Sequence, residues 1–422
     1  MFVTLLFSEC RQLLKSITYY IFLICMVLFF VTQLQDFELI SKPEVSDSDF
    51  GIKYSTDKNI IMSSTLTQLA REYNYNQYTT YPIGFYKEVI LTDIKQEKIV
   101  SILANSSGMT IEELKKTLKD YNDNLNQETT ESEYTIEMIN GEGIKIKPES
   151  NLNYEEFLDN MKEADEIIGG GSSYTKVKVS QNAEVPMTYE DAMKNYNGIL
   201  YKDHVSGAYA RLFSDYMVII LGILPVFLAV TRGLRDRRSQ IFEVIYSKKM
   251  SSSKIIFSRY FALVLMILIP LLLLSISPLL QSLYYAESIG IHGDSFAFVK
   301  YIIGWIMPTI LMSLSVGFFF TELTNKPFGI FVQIIFWITS LFSGIGNLIG
   351  HVGWNLMPRF NTLGSYEVYN SVFSDLVYNR LMFIAISFVL LVLTVMTYEL
   401  KRRGLLKFYG NVFQYRKSQS KD

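Results

Sequence analysis

Six long hydrophobic runs, separated by very unequal spacers, constrain the fold of this 422-residue chain more than any other feature. A helix needs about 20 apolar residues to cross a hydrocarbon layer about 30 Å thick, and each run is close to that length. The predicted spans are 16–35, 212–231, 259–283, 301–321, 328–350 and 380–398. The sequence therefore predicts an α-helical polytopic membrane protein with six transmembrane helices and one large domain, 36–210, inserted after the first.

The charges are distributed unevenly along the chain, although the net charge is only −2. Residues 36–210 contain 30 acidic and 17 basic side chains, whereas the rest of the chain contains 11 and 22. Cytoplasmic loops of membrane proteins are rich in Lys and Arg, which concentrate here in 232–258 and in the tail at 399–422. We therefore expect both termini and the 232–258 loop to be cytoplasmic and 36–210 to be extracellular. A composition rich in Lys, Asn, Ile and Tyr favours a bacterial plasma membrane.

Two further segments flank the predicted spans. Residues 1–15 alternate apolar side chains with Glu9, Arg11 and Lys15 at helical spacing, which predicts an amphipathic N-terminal helix on the inner membrane surface. The first span lacks a small-x-small cleavage pattern near its end, so it is interpreted as a retained anchor rather than a signal peptide. Residues 351–379, after the fifth span, are expected to be extracellular or re-entrant.

The inserted domain is predicted to be mixed and mainly helical. Thr110, Asn153 and Thr188 each precede a carboxylate at the third helical position, a pattern typical of helix starts. The glycines at 169–171 would end the second of these helices, because glycine accepts a left-handed C-terminal cap. Residues 135–147 alternate around an Asn-Gly pair, which predicts a hairpin. Residues 174–179 are a candidate for a further strand.

The strongest motif lies in the basic loop between the second and third spans. Ile241 with Ile245, and Phe242 with Tyr246, lie four residues apart and share one face of a helix. Ser251 is positioned to cap the helix that continues into the third span. An apolar stripe in a basic loop requires a cover, either lipid headgroups or the groove of another protein.

The segment Glu243-Val-Ile-Tyr-Ser…Ser251-Ser-Ser-Lys-Ile-Ile-Phe-Ser-Arg259 resembles the coupling segment in the permease subunits of type-2 ABC exporters. The six spans, the amphipathic N-terminal helix and the long segment after the fifth span are also similar, over 1–35 and about 212–405. The similarity is to the variety with a large extracellular domain between spans 1 and 2.

This resemblance implies that a helix in the loop docks on a separate ABC ATPase subunit. ATP would be bound by that partner, so the chain itself would need no cofactor. A second permease subunit would complete a homodimer or heterodimer surrounded by membrane lipids. The residues that the resemblance assigns to coupling are Ile241, Phe242, Glu243, Ile245, Tyr246, Lys248, Lys249 and Ser251.

Polar and flexible groups inside the predicted spans mark a candidate pathway or gate. These residues are Asp215, Pro225, Gly344, Gly346 and Asn347. Asp215 lies one helical turn from Arg211, with which we expect it to pair. Ordinary helix packing and hydration near the membrane surface account for the same residues, so both interpretations stay open.

Several classes of site have no support in the sequence. No Gly-x-x-x-x-Gly-Lys-Ser/Thr motif is present, which argues against ATP binding through a P-loop. The three histidines are far apart and no Cys/His spacing typical of zinc sites occurs, so no metal ligand and no catalytic residue are assigned. Nucleic-acid binding is not expected, because membrane topology accounts for the basic residues.

The topology and the resemblance together favour the membrane subunit of an ATP-driven ABC exporter, not itself an enzyme, that expels a drug, peptide or lipid-like substrate. The first alternative is a non-transporting ABC-type mechanotransmitter or antibiotic sensor that acts through the extracellular domain. The second is a membrane-embedded enzyme. It would require ionisable residues clustered at one depth, and the sequence shows no such cluster.

Overall fold

The computed structural model describes residues 2–34, 40–81, 86–128, 144–176, 178–240, 242–247, 249–345, 352–360 and 362–406. In chain order the helices are α1 (Phe2–Leu13), α2 (Ile17–Leu34), α3 (Lys58–Tyr75), α4 (Asp93–Ser107), α5 (Ile111–Glu128), α6 (Tyr154–Ile168), α7 (Tyr189–Asn197), α8 (Ser206–Arg238), α9 (Phe242–Ser247), α10 (Ser252–Leu274), α11 (Ile276–Ser288), α12 (Ala297–Tyr301), α13 (Met307–Thr324), α14 (Phe328–Ile345), α15 (Tyr366–Ser371) and α16 (Phe373–Arg402). The strands are β1 (Ile52–Tyr54), β2 (Tyr78–Thr80), β3 (Lys87–Val89) and β4 (Glu184–Pro186).

The fold is mostly helical, and its strands form two short antiparallel pairs, β1 with β4 and β2 with β3. The internal contacts divide the chain into two units. One is formed chiefly by Lys42–Met193, and the other by the residues on either side of it.

The Lys42–Met193 unit has an apolar core of its own. Side chains from α3, α4 and α6 meet there around Leu66, Leu103, Phe157 and Met161, each 0% exposed. The chain's two cysteines lie outside this unit. The burial of one face of each helix, rather than disulfide bonds, therefore stabilises it.

Three predicted helix starts are confirmed in this unit. Thr110 and Glu113 exchange the two hydrogen bonds of a capping box at 2.9 and 3.3 Å, and Thr188 and Asp191 do the same at 3.0 and 3.2 Å. The Asn153 side chain accepts a hydrogen bond from the backbone N–H two residues on. These side chains satisfy N–H groups that have no partner within the helix, which explains why α5, α6 and α7 begin there.

The glycine stop is confirmed, because α6 ends at Ile168 and the glycines at 169–171 have φ angles of 123°, 84° and 76°. The strand suggested at 174–179 is wrong, since the chain turns there and enters a 3₁₀ helix at Val179–Gln181. Hydrogen bonds from the backbone N–H and hydroxyl of Ser172 to Asp165 hold this turn at 2.7 and 2.6 Å. The predicted hairpin lies mostly in 129–143, outside the described residues.

Among the described residues, five helices are long and apolar enough to cross a membrane, as expected of a multi-pass membrane protein. They cover Ile17–Leu34, Ser206–Arg238, Ser252–Ser288, Ala297–Thr324 and Phe373–Arg402. The third combines α10 and α11, and the fourth contains a π-helical turn at Ile302–Ile306 between α12 and α13. Helix α14 covers 328–345 of the predicted span 328–350, and 346–350 lie outside the described residues. Its apolar part, Phe328–Phe342, is shorter than the other five helices.

Helix α8 begins directly after a strained turn. Val205 has a φ of 59°, a value that β-branched side chains rarely adopt. Two interactions hold the turn: Arg211 donates to both carboxylate oxygens of Asp203 at 2.8 Å, and Ser206 exchanges hydrogen bonds with the backbone of Asp294 at 2.8 and 2.9 Å.

Candidate functional site

The loop between α8 and α10 forms the short helix predicted for it. Helix α9 covers Phe242–Ser247, and Ser251 caps α10 by accepting a hydrogen bond from the backbone N–H of Lys254 at 3.4 Å. The predicted cap is therefore confirmed. Ile241 and Lys248, also assigned to coupling from the sequence, lie outside the described residues.

The described half of the apolar stripe, Ile245 and Tyr246, is covered by the chain itself rather than by headgroups or another protein. The side chains of Ile241 and Phe242, which form the other half, lie outside what the structure describes. Ile245 and Tyr246 are half-buried and pack against the core of the helix bundle. The Tyr246 ring meets the Tyr398 ring edge-on, with 5.3 Å between centroids, and burial raises the pKa of Tyr246. Glu243 and Val244 are exposed instead, Val244 to 60%.

Arg402 and Glu399, at the end of α16, fasten the loop, and we call these two residues the loop clamp. The guanidinium of Arg402 donates to the backbone oxygen of Tyr246 at 3.0 Å and to that of Met250. The hydroxyl of Ser252, at the start of α10, donates to the carboxylate of Glu399. These two acceptors of Arg402 are main-chain atoms, so the contact fixes the path of the loop itself.

A buried group of charged side chains lies at the same end of the bundle. Arg232 forms ion pairs with Glu9 at 2.6 Å and with Asp236 at 3.2 Å. Arg259 pairs with the same two carboxylates, at 3.7 Å from Glu9. The four side chains are between 5% and 13% exposed. They join α1 to α8 and α10, the two helices that lead into and out of the loop.

A second group extends this charged layer toward α16. Glu322 accepts from Lys401 at 3.2 Å and from Arg237 at 3.4 Å, and Lys401 also donates to Asn325 at 2.6 Å. The structure thus gathers ionisable residues at one end of the helices, whereas the sequence showed no cluster. The helix termini in which these residues lie are far apart in the sequence, so only the packing brings them together.

The buried position of Glu9 also corrects the picture of α1. Helical spacing placed Glu9 with Arg11 on a polar face, yet Glu9 points into the bundle and Phe7 is 67% exposed. An exposed apolar side chain suits a helix that lies against lipid. Glu9 is the only acidic residue in 1–35, which indicates a basic partner elsewhere in the chain without indicating that the pair is buried.

Asp215, a candidate pathway residue in the sequence, contacts the backbone of the segment after α14. It is 1% exposed, accepts a hydrogen bond from the N–H of Phe360 at 2.8 Å and lies 3.8 Å from Arg359 Nε. The expected pairing with Arg211 is wrong, because the guanidinium of Arg211 is held by Asp203 in a two-point ion pair.

The other candidate pathway residues divide between packed and undescribed positions. Pro225 is buried inside α8 and Gly344 lies near the end of α14, while Gly346 and Asn347 are outside the described residues. Near Pro225, the α8 carbonyl of Gly222 accepts a hydrogen bond from Gln333 at 2.6 Å. These contacts hold α14 against α8.

A second set of polar contacts, here called the distal clamp, lies toward the N-terminal end of α16. Arg380, 4% exposed, donates to the backbone oxygens of Trp305, Asn355 and Leu356 at 3.1 to 3.2 Å. Asn379 donates to the backbone oxygens of three residues within 352–355. A cavity of about 570 Å³ adjoins this clamp. In the sequence, Arg380 is simply the first residue of the predicted span 380–398, and nothing beside it indicates these partners.

The Lys42–Met193 unit contains a buried carboxyl group that the sequence did not single out. Glu72, in the last turn of α3, accepts hydrogen bonds from Tyr174 at 2.7 Å and from Gln68 at 3.3 Å. Burial raises the pKa of Glu72 to about 7, although these bonds and the charge of Arg71 act in the opposite direction. A carboxylate at a helix C-terminus also meets the negative end of the helix dipole.

No three His, Cys, Asp or Glu side chains within the described residues are grouped as a metal ion would require. Comparisons with known protein families, with curated proteins and with solved structures gave no match to this chain. Any functional conclusion therefore depends on the sequence pattern and on the geometry of the site.

Proposed function

We propose that this chain is the membrane subunit of an ATP-driven exporter, in which a separate ABC ATPase subunit drives efflux of a drug, peptide or lipid-like substrate. The observation that carries the proposal is the construction of the 242–251 loop. A short helix presents Glu243 and Val244 to solvent, while its opposite face is fixed to α16 and stands over a buried charged layer. A surface of this kind is suited to receive force from a bound protein.

The proposed topology follows from the charge distribution. Six spans, with α14 as the fifth, would place both termini and the loop in the cytoplasm and the Lys42–Met193 unit outside. Basic residues near short loops set the orientation of a membrane protein, and Arg235 and Arg238 at the end of α8 are exposed beside the loop. A pair of such subunits would complete the transporter.

Orientation is tested with a single cysteine at the loop. In a chain with Cys10 and Cys25 replaced by serine, we expect Ser247→Cys to react with a membrane-impermeant maleimide only after the cells are opened. Reaction in intact cells would show that the loop faces the outside, and the exporter proposal would then be wrong.

Coupling is tested on the exposed side chains, since Tyr246 is structural. The tagged chain is isolated from its native membrane in mild detergent, and vanadate-sensitive ATP hydrolysis is measured in the eluate. We expect ATP hydrolysis in the eluate to be at least tenfold lower for the double variant Glu243→Arg/Val244→Asp than for the parent chain. The matched control Val45→Asp, at a side chain 79% exposed in the other unit, should retain it. Equal activity in both variants would contradict the role of the loop.

The non-transporting mechanotransmitter shares the same loop and ATPase subunit, so co-purification does not distinguish it. The folded Lys42–Met193 unit, with its own core, is the feature that favours it. Efflux from cells that express the chain with its ATPase subunit separates the two. ATP-dependent export of a drug or peptide supports the exporter, whereas antibiotic resistance without export of the antibiotic supports the mechanotransmitter.

A further inference from the structure

Helix α16 connects the loop clamp to the distal clamp without interruption. Arg380 and Arg402 lie on this one 30-residue helix. At 1.5 Å per residue they are about 33 Å apart along its axis, close to the thickness of the hydrocarbon layer. The helix contains neither proline nor glycine, the residues at which helices usually kink.

The two helices directly joined to the loop differ from α16 in this respect. Helix α8 contains Pro225 and α10 contains Pro270, each within the helix. A proline removes a backbone hydrogen bond and allows bending at that point. A displacement of the loop can therefore be absorbed as bending in α8 and α10, whereas α16 moves as one body.

In each clamp an arginine binds backbone carbonyl oxygens. At the loop, Arg402 holds the carbonyl oxygens of Tyr246 and Met250. At the other end, Arg380 holds the carbonyl oxygens of Asn355 and Leu356. Charge-assisted hydrogen bonds are stronger than neutral ones, so both contacts are suited to transmit displacement.

We infer that Arg402 and Arg380 are positioning residues that make α16 a rigid rod between the two membrane faces. Through it, a displacement of the 242–251 loop moves the backbone of 352–356 on the opposite side. This inference rests on the proposed function, in which an ATPase subunit displaces the loop, and it names the helix that carries the movement. The cavity beside the distal clamp is bounded by both 352–354 and α16, so this movement acts on its wall.

The test places a reporter at the distal end and breaks the clamp at the loop end. Trp354, 77% exposed, is replaced by cysteine in a chain without Cys10 and Cys25 and carries an environment-sensitive fluorophore. The complex with its ATPase subunit is placed in lipid nanodiscs, and emission is compared without nucleotide and with ATP and vanadate. We expect a nucleotide-dependent change that Arg402→Ala reduces at least fivefold.

Arg403→Ala is the matched control, because Arg403 is 67% exposed and bonds to Glu399 Oε1, whereas Ser252 donates to the other oxygen of that carboxylate. It should keep the change within twofold of the parent, and Arg402→Lys should recover part of it through one carbonyl contact. All variants should retain vanadate-sensitive ATP hydrolysis, because none of them changes the exposed surface at which the ATPase subunit is proposed to bind. An equal fluorescence change in Arg402→Ala and Arg403→Ala would overturn the inference while leaving the proposed function standing.

A second measurement does not need the ATPase subunit. A spin label at position 354 reports the mobility of the distal segment in the purified chain. Arg402→Ala should alter its spectrum and Arg403→Ala should not. Identical spectra in the two variants would refute transmission through α16. If no vanadate-sensitive ATPase co-purifies with the parent chain, the proposed function is refuted instead.

Discussion

Arg232 donates hydrogen bonds from Nε and Nη2 to the two carboxylate oxygens of Glu9, both at 2.6 Å, across 223 positions of sequence. This two-point ion pair fixes α1 to α8 in both position and rotation, because the planar guanidinium matches the carboxylate in one arrangement. Arg259 and Asp236 complete the group. The N-terminal helix is therefore an integral part of the bundle beneath the loop.

Glu9→Gln should lower the free energy of unfolding by about 2 kcal/mol, because Arg232 stays buried without its strongest partner. Chemical denaturation in detergent measures the change. Arg11→Gln, on the exposed side of the same helix, is the control and should leave stability unchanged. If the two variants unfold at the same denaturant concentration, the ion pair does not fix α1.

The Lys42–Met193 unit should become less stable as the pH rises from 5 to 8. The folded-state pKa of Glu72 is raised from 4.5 to about 7 by burial, so the folded unit binds the proton more tightly than the unfolded chain. That contribution is complete below about pH 4.5 and is lost as the pH passes 7, a difference of about 3 kcal/mol at most.

Melting of this unit, followed across the pH range in the full chain, measures the effect. Glu72→Gln keeps an acceptor for Tyr174 but cannot titrate, so it should flatten the dependence between pH 5 and 8. Glu155→Gln, at an exposed carboxyl, should leave the slope as it is. A slope unaffected by Glu72→Gln would assign the dependence to other groups.

Gly317→Ala should destabilise the packing of α13 against α8. A Cβ at this position would lie 2.6 Å from the Cβ of Ala229 and 3.2 Å from the backbone oxygen of Val226. Overpacking of this kind costs about 2 kcal/mol, which exceeds the helix propensity that alanine gains over glycine. Gly304→Ala, where no atom lies within 4 Å, should not lower the melting temperature.

Trp337→Phe should cost about 1 kcal/mol, because the indole N–H donates to the backbone oxygen of Ile219 at 2.9 Å between α14 and α8. Thermal denaturation followed by circular dichroism detects the loss. Trp354→Phe, at an indole 77% exposed, supplies the comparison and should melt with the parent chain. Equal losses from both substitutions would show that this contact does not hold α14.

Local signals in the sequence predicted local structure well. Thr110, Thr188 and Ser251 mark the helix starts found in the structure, because a cap depends only on the residues beside it. The apolar runs likewise predicted the five described helices that are long and apolar enough to cross a membrane, since compatibility with lipid depends on composition. Hydrophobic periodicity also located α9 in the loop, but it did not indicate that Ile245 and Tyr246 pack against the bundle of this chain.

Partners distant in sequence could not be predicted in this way. Arg211 had Asp215 one turn away on its own helix, yet it pairs with Asp203 across the turn that precedes α8. Glu9 and Arg380 gave no local sign of burial, because their partners come from other helices and from carbonyl oxygens that every residue carries. Their positions depend on how the helices are packed, and a pattern along one segment does not report that.

The unfavourable backbone conformation at Val205 has a consequence for the far end of α8. A slip of one residue at the start of a helix rotates every later side chain by about 100°, which would turn Arg232 and Asp236 away from their partners. Because Asp203 with Arg211 and Ser206 with Asp294 hold the first turn in a single arrangement, the helix can begin only where it does. The alignment of charges about 40 Å away is thus already decided where the helix starts.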